Sequence, residues 1–315
     1  MVIVTGGAGF IGSNVVRGLN KIGIKDILIV DNLENGSKHL NLNTLEFTDY
    51  IDKIDFIENI ETFNFSNVKA IIHIGACSNT MEYNGKYMLK NNYEYSKILL
   101  DHALKNEIKF IYASSASVYG NGDNGFIETR SAEYPLNVYA YSKFLFDQYI
   151  RNLKNPNTQI VGLRFFNVYG PQENHKGKMA SVIYHFHNQI MSENKIKLFE
   201  GSQNFIRDFV FIDDIVKIVL HFYNNEISGI FNAGCGQARS FYEIADIMQK
   251  LYNEVKIESV PFPQELKGKY QAFTQADLTS LRTKGNYKED FVSLKDGVTK
   301  YVEILKSNNG YYTNH

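Results

Sequence analysis

The chain lacks the cysteines of a disulfide framework. Only Cys77 and Cys235 occur in 315 residues, a count that fits a reducing compartment and reads each as a buried thiol. No apolar stretch reaches the roughly 20 residues needed to span a bilayer. Met1 to Thr5 is apolar but runs straight into glycines, with neither the basic start nor the long apolar core of a secretory signal. These absences predict a cytoplasmic protein that does not engage a membrane. Net charge is nearly absent as well: 33 Lys+Arg against 34 Asp+Glu leave −1. No long basic run occurs, so nothing draws the chain as a whole to nucleic acid. A metal site is not expected either. His185 and His187 stand two apart on a predicted helix and so point in different directions.

What is present is ordinary globular composition, 44% hydrophobic and 21% charged, without internal repeats or low-complexity tracts. Short apolar runs alternate with helical patterns through the first half. Strands are predicted at Val2 to Val4, Asp26 to Val30, Ala70 to His73 (as the third), Lys109 to Ala113 and Ile160 to Leu163. Ile11, Val15, Val16 and Leu19 fall at helical spacing between the first two. Continuous rather than alternating apolarity is what a parallel sheet covered on both faces requires. The expected fold is therefore α/β, a Rossmann-type doubly wound parallel sheet with a smaller C-terminal substrate-binding domain. Residues 1–167 make the dinucleotide-binding part and 168–315 mainly the substrate part, with roughly 208–238 returning to the first. Helices are predicted at Met179 to Met191, Phe241 to Tyr252 and Asp213 to Phe222, the last capped by Asp213 or Asp214.

The segment Thr5-Gly6-Gly7-Ala8-Gly9-Phe10-Ile11-Gly12 follows the first strand and opens the first helix. That context, more than the glycines alone, points to a dinucleotide. Gly6 permits the tight turn, Gly9 the approach of a pyrophosphate, and Gly12 close packing of helix on strand. Amides at the helix N-terminus then hold phosphate oxygens. Asp31 ends the second strand, where a carboxylate receives the adenosine ribose hydroxyls. It would repel a 2′-phosphate, which favours NAD. Lys38 and Lys53 follow, and either could pair with that phosphate. As bare charges both read as solvated surface.

Tyr139 and Lys143 are four residues apart and share a helix face. A tyrosine of pKa near 10 is too weak a base at neutral pH. A neighbouring ammonium would stabilise the phenolate and could also bind the nicotinamide ribose. The run Ala113-Ser114-Ser115-Ala116-Ser117-Val118-Tyr119-Gly120 places Ser115 at the C-terminal end of a strand. There it could hydrogen-bond a substrate hydroxyl, completing a Ser–Tyr–Lys set.

The glycine turn, Ser115, Tyr139 and Lys143 together resemble the extended short-chain dehydrogenase/reductases that act on sugar nucleotides, the NAD-dependent epimerases and dehydratases. Further segments are similar to the branch that epimerises an ADP-heptose at C6: Gly75-Ala76-Cys77-Ser78, Lys86-Tyr87-Met88, Asn91-Asn92-Tyr93, Tyr95-Ser96-Lys97, Arg164 to Pro171, His175-Lys176-Gly177, Phe199-Glu200-Gly201-Ser202, Arg207-Asp208-Phe209 and Lys267 to Phe273. The resemblance spans nearly the whole chain. It implies that bound NADP⁺ (NAD being possible) takes hydride from C6 of ADP-D-glycero-β-D-manno-heptose and returns it to the opposite face of a transient 6-ketone. The product feeds the inner core of lipopolysaccharide, and relatives assemble as rings of five. The proton roles fall on Tyr139 and Lys176. Sequence alone would read Lys176 as a surface loop residue.

By the same resemblance Phe10, Ile11, Asp31, Asn32, Lys38, Lys53, Ile74, Gly75, Ala76, Cys77, Ser78, Asn91, Lys143, Val168 and Lys176 contact the cofactor, with Lys38 on the 2′-phosphate. Asn167, Lys178, His185, Phe199, Glu200, Gly201, Ser202, Arg207 and Tyr270 line the ADP-heptose site. Arg207 suits a diphosphate, with a buried partner such as Asp208 as its structural alternative. Two positions depart from the pattern: Ile74 stands where glutamate is frequent, and Lys178 occupies a variable site. A UDP-hexose 4-epimerase or another nucleotide-sugar oxidoreductase is the enzymatic rival. A 4,6-dehydratase would need an acidic pair beside the serine, where Ala116-Ser117 stand. A nucleotide-sensing binding protein would have lost the tyrosine or lysine of the pair.

Overall fold

The structure is a computed structural model that describes residues 1–262 and 271–313. Its frame is a seven-stranded, wholly parallel sheet. The strands are β1 (Val2–Thr5), β2 (Ile27–Asp31), β3 (Asp49–Asp52), β4 (Ala70–His73), β5 (Lys109–Ser115), β6 (Ile160–Phe165) and, after further elements, β10 (Gly229–Ala233). Their order is β10-β6-β5-β4-β1-β2-β3. Strand order therefore reverses between β1 and β4, and a crevice for ligands opens beyond the carboxyl ends of those strands. β1 and β4 are buried along their whole length, which is why their apolarity is continuous. β3, Asp-Tyr-Ile-Asp at the sheet edge, is half-exposed and polar. An edge strand needs no apolar run, so the strand expected third is the fourth.

Helices cover both faces. α1 (Phe10–Lys21) buries Val15, Val16 and Leu19. It lies close against α7 (Ile212–Asn224): a Cβ on Gly18 would stand 2.4 Å from Val216 Cγ1. Between them come α2 (Lys53–Glu58), α3 (Gly85–Leu89), α4 (Tyr95–Lys105), α5 (Val138–Arg151) and α6 (Val182–Glu193). A single π turn, Lys90–Glu94, joins α3 to α4. α7 is not capped by either aspartate. Phe211 holds the cap position, and Asp213 and Asp214 lie in the first turn. There Asp214 accepts from the Val292 amide at 2.8 Å instead.

Two small sheets sit beyond the carboxyl edge. β7 (Asn167–Tyr169) pairs with β9 (Ile206–Phe211), and β9 with β11 (Ala238–Ser240). β8 (Lys195–Phe199) pairs with β12 (Lys256–Val260). α8 (Phe241–Leu251) starts from a capping box of Ser240 and Glu243. α9 (Thr279–Thr283) and α10 (Leu294–Asn308) complete the described chain. No helix among the described residues is long and apolar enough to cross a membrane.

Candidate active site

A cavity of about 1160 Å³ opens over the switch point and runs from the glycine turn to the small sheets. Its size exceeds that of an ordinary single-ligand pocket. The turn is built by backbone crowding. Gly6 lies in the left-handed region, φ +69°, and a Cβ there would meet Gly75 N at 2.6 Å. Gly12 lies under the same turn: a Cβ would stand 2.0 Å from the Gly6 carbonyl oxygen. The amides of Phe10, Ile11 and Gly12 occupy the first turn of α1, where no helical acceptor exists. This cradle fits a pyrophosphate. Gly12→Ala should therefore destabilise the fold by about 1–3 kcal/mol and yield protein without dinucleotide. Denaturant unfolding and absorbance of the purified protein check both. Unchanged stability with full coenzyme would contradict this packing.

At the end of β2 the Asp31 carboxylate is already engaged. It accepts from the Ala8 amide at 2.8 Å and from Lys38 Nζ at 2.5 Å. Lys38 is buried and also donates to the Asn32 carbonyl at 2.7 Å, so it is not the solvated charge that sequence suggested. Lys53 donates to Asn91 Oδ1 at 3.0 Å. His175 projects toward this region. Burial, then the charges of Lys38 and Lys176, push its imidazole down to about 4, so it is neutral.

The part of the cavity that holds Ser115, Tyr139 and Lys143 is organised by α5 and β5. Ser115 Oγ accepts twice from Ser117, from its amide at 3.2 Å and its hydroxyl at 2.9 Å. Its own proton is thereby left to donate toward Tyr139, whose phenol it holds down. Burial raises the Tyr139 phenol above its ordinary value and the Ser115 bond opposes that rise. The lowering expected from Lys143 is not seen. Lys143 Nζ donates instead to the Ala113 carbonyl at 2.8 Å. Burial pulls its ammonium down to about 8, against the opposing charge of Asp147. Asn92 ties the neighbouring loop: its Oδ1 accepts from the Cys77 amide at 2.7 Å and its Nδ2 donates to the Cys77 carbonyl at 3.0 Å. The π turn aims this side chain inward.

Lys176 reaches the cavity from a turn at Asn174–Met179 that follows β7. Its ammonium lies 4.9 Å from the centroid of the Phe10 ring and is lowered by burial. It is thus no surface lysine.

Every residue expected to act in catalysis or to hold the cofactor lines this cavity: Ser115, Tyr139, Lys143 and Lys176, with Gly6 through Val168 as named above. Of the substrate set, Asn167, Lys178, His185, Phe199 and Ser202 line it. Glu200, Gly201 and Arg207 are not among the lining residues. Glu200 ties its amide to Val260 O at 2.8 Å, and Gly201 is a left-handed corner. Arg207 is buried on β9, its guanidinium 5.9 Å from the Phe241 ring. Asp208 does not partner it; that carboxylate accepts from the backbone amides of Cys235, Gly236 and Ala276. Tyr270, with 267–269, lies outside the described residues. The cysteines are half-buried rather than buried, and Cys77 faces the cavity. Sequence reasoning missed Ser117, Gln189, Phe205 and Phe241, all cavity-lining. A serine two positions after Ser115, whose amide and hydroxyl can donate to the Ser115 Oγ, was the one available signal.

Comparison with known proteins places this geometry in context. The NAD dependent epimerase/dehydratase family matches residues 2–234. An ADP-L-glycero-D-manno-heptose-6-epimerase of Brachyspira hyodysenteriae is 57% identical over 317 residues, 99% of each chain. The crystal structure of the Helicobacter pylori enzyme of that name superposes with TM-score 0.84 at 29% identity, over 97% of this chain and 96% of the other. A Thermotoga maritima UDP-glucose 4-epimerase, solved with UDP-glucose, gives TM-score 0.83 at 25% identity, over 98% and 99%.

Proposed function

The chain belongs to the NAD dependent epimerase/dehydratase family, and on that premise we propose that it inverts C6 of ADP-D-glycero-β-D-manno-heptose to give the ADP-L-glycero epimer. One observation carries the reading. Two proton-carrying groups from different elements, Tyr139 on α5 and Lys176 on the turn after β7, line the same cavity as the glycine turn.

The chemistry requires such a pair. When bound, the nicotinamide coenzyme accepts hydride from C6 and gives it back, with no net redox change. Return of hydride to the opposite face would require the transient 6-ketone to turn within the cavity, between Tyr139 and Lys176. The C6 hydroxyl then loses its proton in one place and regains it in another. Ser115 donates to the hydroxyl oxygen and holds it beside Tyr139, which moves the proton in one configuration. Lys176 moves it in the other; its burial brings the amine nearer to neutrality than an exposed lysine. Lys143 holds the nicotinamide ribose. The reading extends to a homo-oligomeric, cytoplasmic enzyme supplying lipopolysaccharide inner-core precursors, by resemblance to its relatives.

The coenzyme proposed is NADP. Lys38 cancels the Asp31 charge that would repel a 2′-phosphate, and a charged hydrogen bond from it contributes about 1.5–3 kcal/mol. Lys38→Met should weaken NADP binding by at least about tenfold and NAD binding little, as read by titration. Equal effects on both coenzymes would remove Lys38 from the phosphate. The substrate is tested by incubating the protein with ADP-D-glycero-β-D-manno-heptose and with UDP-galactose and following each by NMR. Inversion of the heptose alone is expected. Inversion of UDP-galactose at C4 without turnover of the ADP-heptose would contradict the assignment.

A further inference from the structure

Beneath Lys176 lies a carboxylate with no part in the scheme so far. Glu173 is fully buried, and its Oε2 stands 3.9 Å from Lys176 Nζ. Both oxygens are held by Ser181: the amide donates to Oε2 and the hydroxyl to Oε1, each at 2.6 Å. Ser181 is the N-cap of α6, so the anion sits at a helix start, where negative charge is favoured. The turn that carries both residues is fixed at its beginning. Gln172 adopts φ +77°, a conformation that a non-glycine residue keeps only where its surroundings demand it. Its amide donates to Gly310 O at 2.8 Å. Its carbonyl accepts from Asn41 at 3.2 Å, and its side chain donates to Ser13 Oγ at 3.0 Å. Asn174 donates to Asn309 O at 2.8 Å. The Lys176 ammonium is thus suspended between the Glu173 carboxylate and the Phe10 ring.

We propose that Glu173 is the positioning residue of Lys176: its buried carboxylate fastens the Lys176 turn to the start of α6 and holds the ammonium in the cavity. The proposal rests on the reading of Lys176 as the second acid/base group. Burial lowers Lys176 and Glu173 is the charge that opposes it. Other titratable groups nearby are His175 and Lys178 on the same turn, Lys38 beside His175, Tyr184 and His185 on α6, and Tyr301 on α10, which burial and then Glu173 push up. Proton loss from Lys176 leaves the carboxylate with the Ser181 bonds but no neighbouring cation, so the two residues set the acid strength together. Without the carboxylate, burial acts alone and Lys176 gives up its proton at lower pH.

The test is competitive acetylation of the coenzyme-loaded protein by acetic anhydride across pH, read at each lysine by mass spectrometry. In Glu173→Gln the labelling midpoint of Lys176 should move to lower pH while that of Lys143 stays. In Glu173→Asp, which keeps the charge one methylene further off, the midpoint should fall between; that variant carries the test if the Gln protein does not fold. The limb of the pH–kcat profile due to Lys176 should move with the midpoint, with KM little changed. A Lys176 midpoint that stays put overturns the proposal. A midpoint that moves under an unmoved pH profile upholds the Glu173 hold and overturns the acid/base reading of Lys176.

Discussion

Tyr139→Phe and Lys176→Met are each expected to lower epimerisation by about 10²–10⁴-fold, the usual worth of a positioned acid or base, while the dinucleotide stays bound. The two side chains come from separate elements: Tyr139 stands on α5 and faces the cavity with Ser115, whereas Lys176 is held by Phe10 and Glu173. Neither can stand in for the other. Phe removes only the hydroxyl from Tyr139, and Met fills most of the lysine stem without its charge, so folding should survive both changes. Turnover of ADP-heptose and absorbance of released coenzyme separate the two effects. Full activity in either variant would leave that residue without a proton role, and loss of coenzyme in either would make it a binding residue.

Arg164→Met is expected to destabilise the fold by about 3–5 kcal/mol, the cost of leaving a buried charge without its partner. Arg164 is wholly buried on β6. It donates to Asp147 Oδ2 through Nε at 2.9 Å and Nη2 at 2.8 Å and also pairs with Glu133. Glu133 keeps Arg151, at 2.6 Å. Asp147 would keep only the hydroxyls of Tyr112 and Ser114, at 2.9 and 3.0 Å. Adding Asp147→Asn should recover part of the loss, because the stranded charge goes while one hydroxyl keeps an acceptor oxygen and the other can accept from the new amide NH2. Urea unfolding of the three proteins measures this. A loss below about 1 kcal/mol for Arg164→Met would mean that the cluster is solvated. Asp147 is also four residues from Lys143 and opposes the lowering of its ammonium, so the cluster lies directly behind Lys143.

Much of this frame is legible along the chain because its signals are local. A buried parallel strand must be apolar throughout, and a glycine turn between strand and helix has few other uses, so β1, α1 and the Gly6–Gly12 cradle can be read directly. β3 cannot, since its edge position lets Asp49 and Asp52 stand in it. The Tyr139–Lys143 pair reads from its spacing, but its electrostatics do not. Lys143 turns to the Ala113 carbonyl, a contact set by how α5 lies on β5. Lys38 looks like surface charge until the turn after β2 folds it onto Asp31. Arg164 meets Asp147 and Glu133 from 17 and 31 positions away, and Glu173 acquires meaning only once α6 begins at Ser181. Arg207 is chosen by residue type as suited to phosphate, and its position on β9, beside the Ile206 carbonyl and the Phe241 ring, is not visible in the sequence.

The most direct measurement follows a single deuterium. ADP-D-glycero-β-D-manno-heptose carrying deuterium at C6 is converted in ordinary water and the product analysed by NMR and mass spectrometry. Retention of the label at C6 through inversion is expected, because hydride leaves and returns without meeting solvent. Replacement of that deuterium by solvent hydrogen would mean that C6 gives up a proton, and the oxidation–reduction route would be wrong.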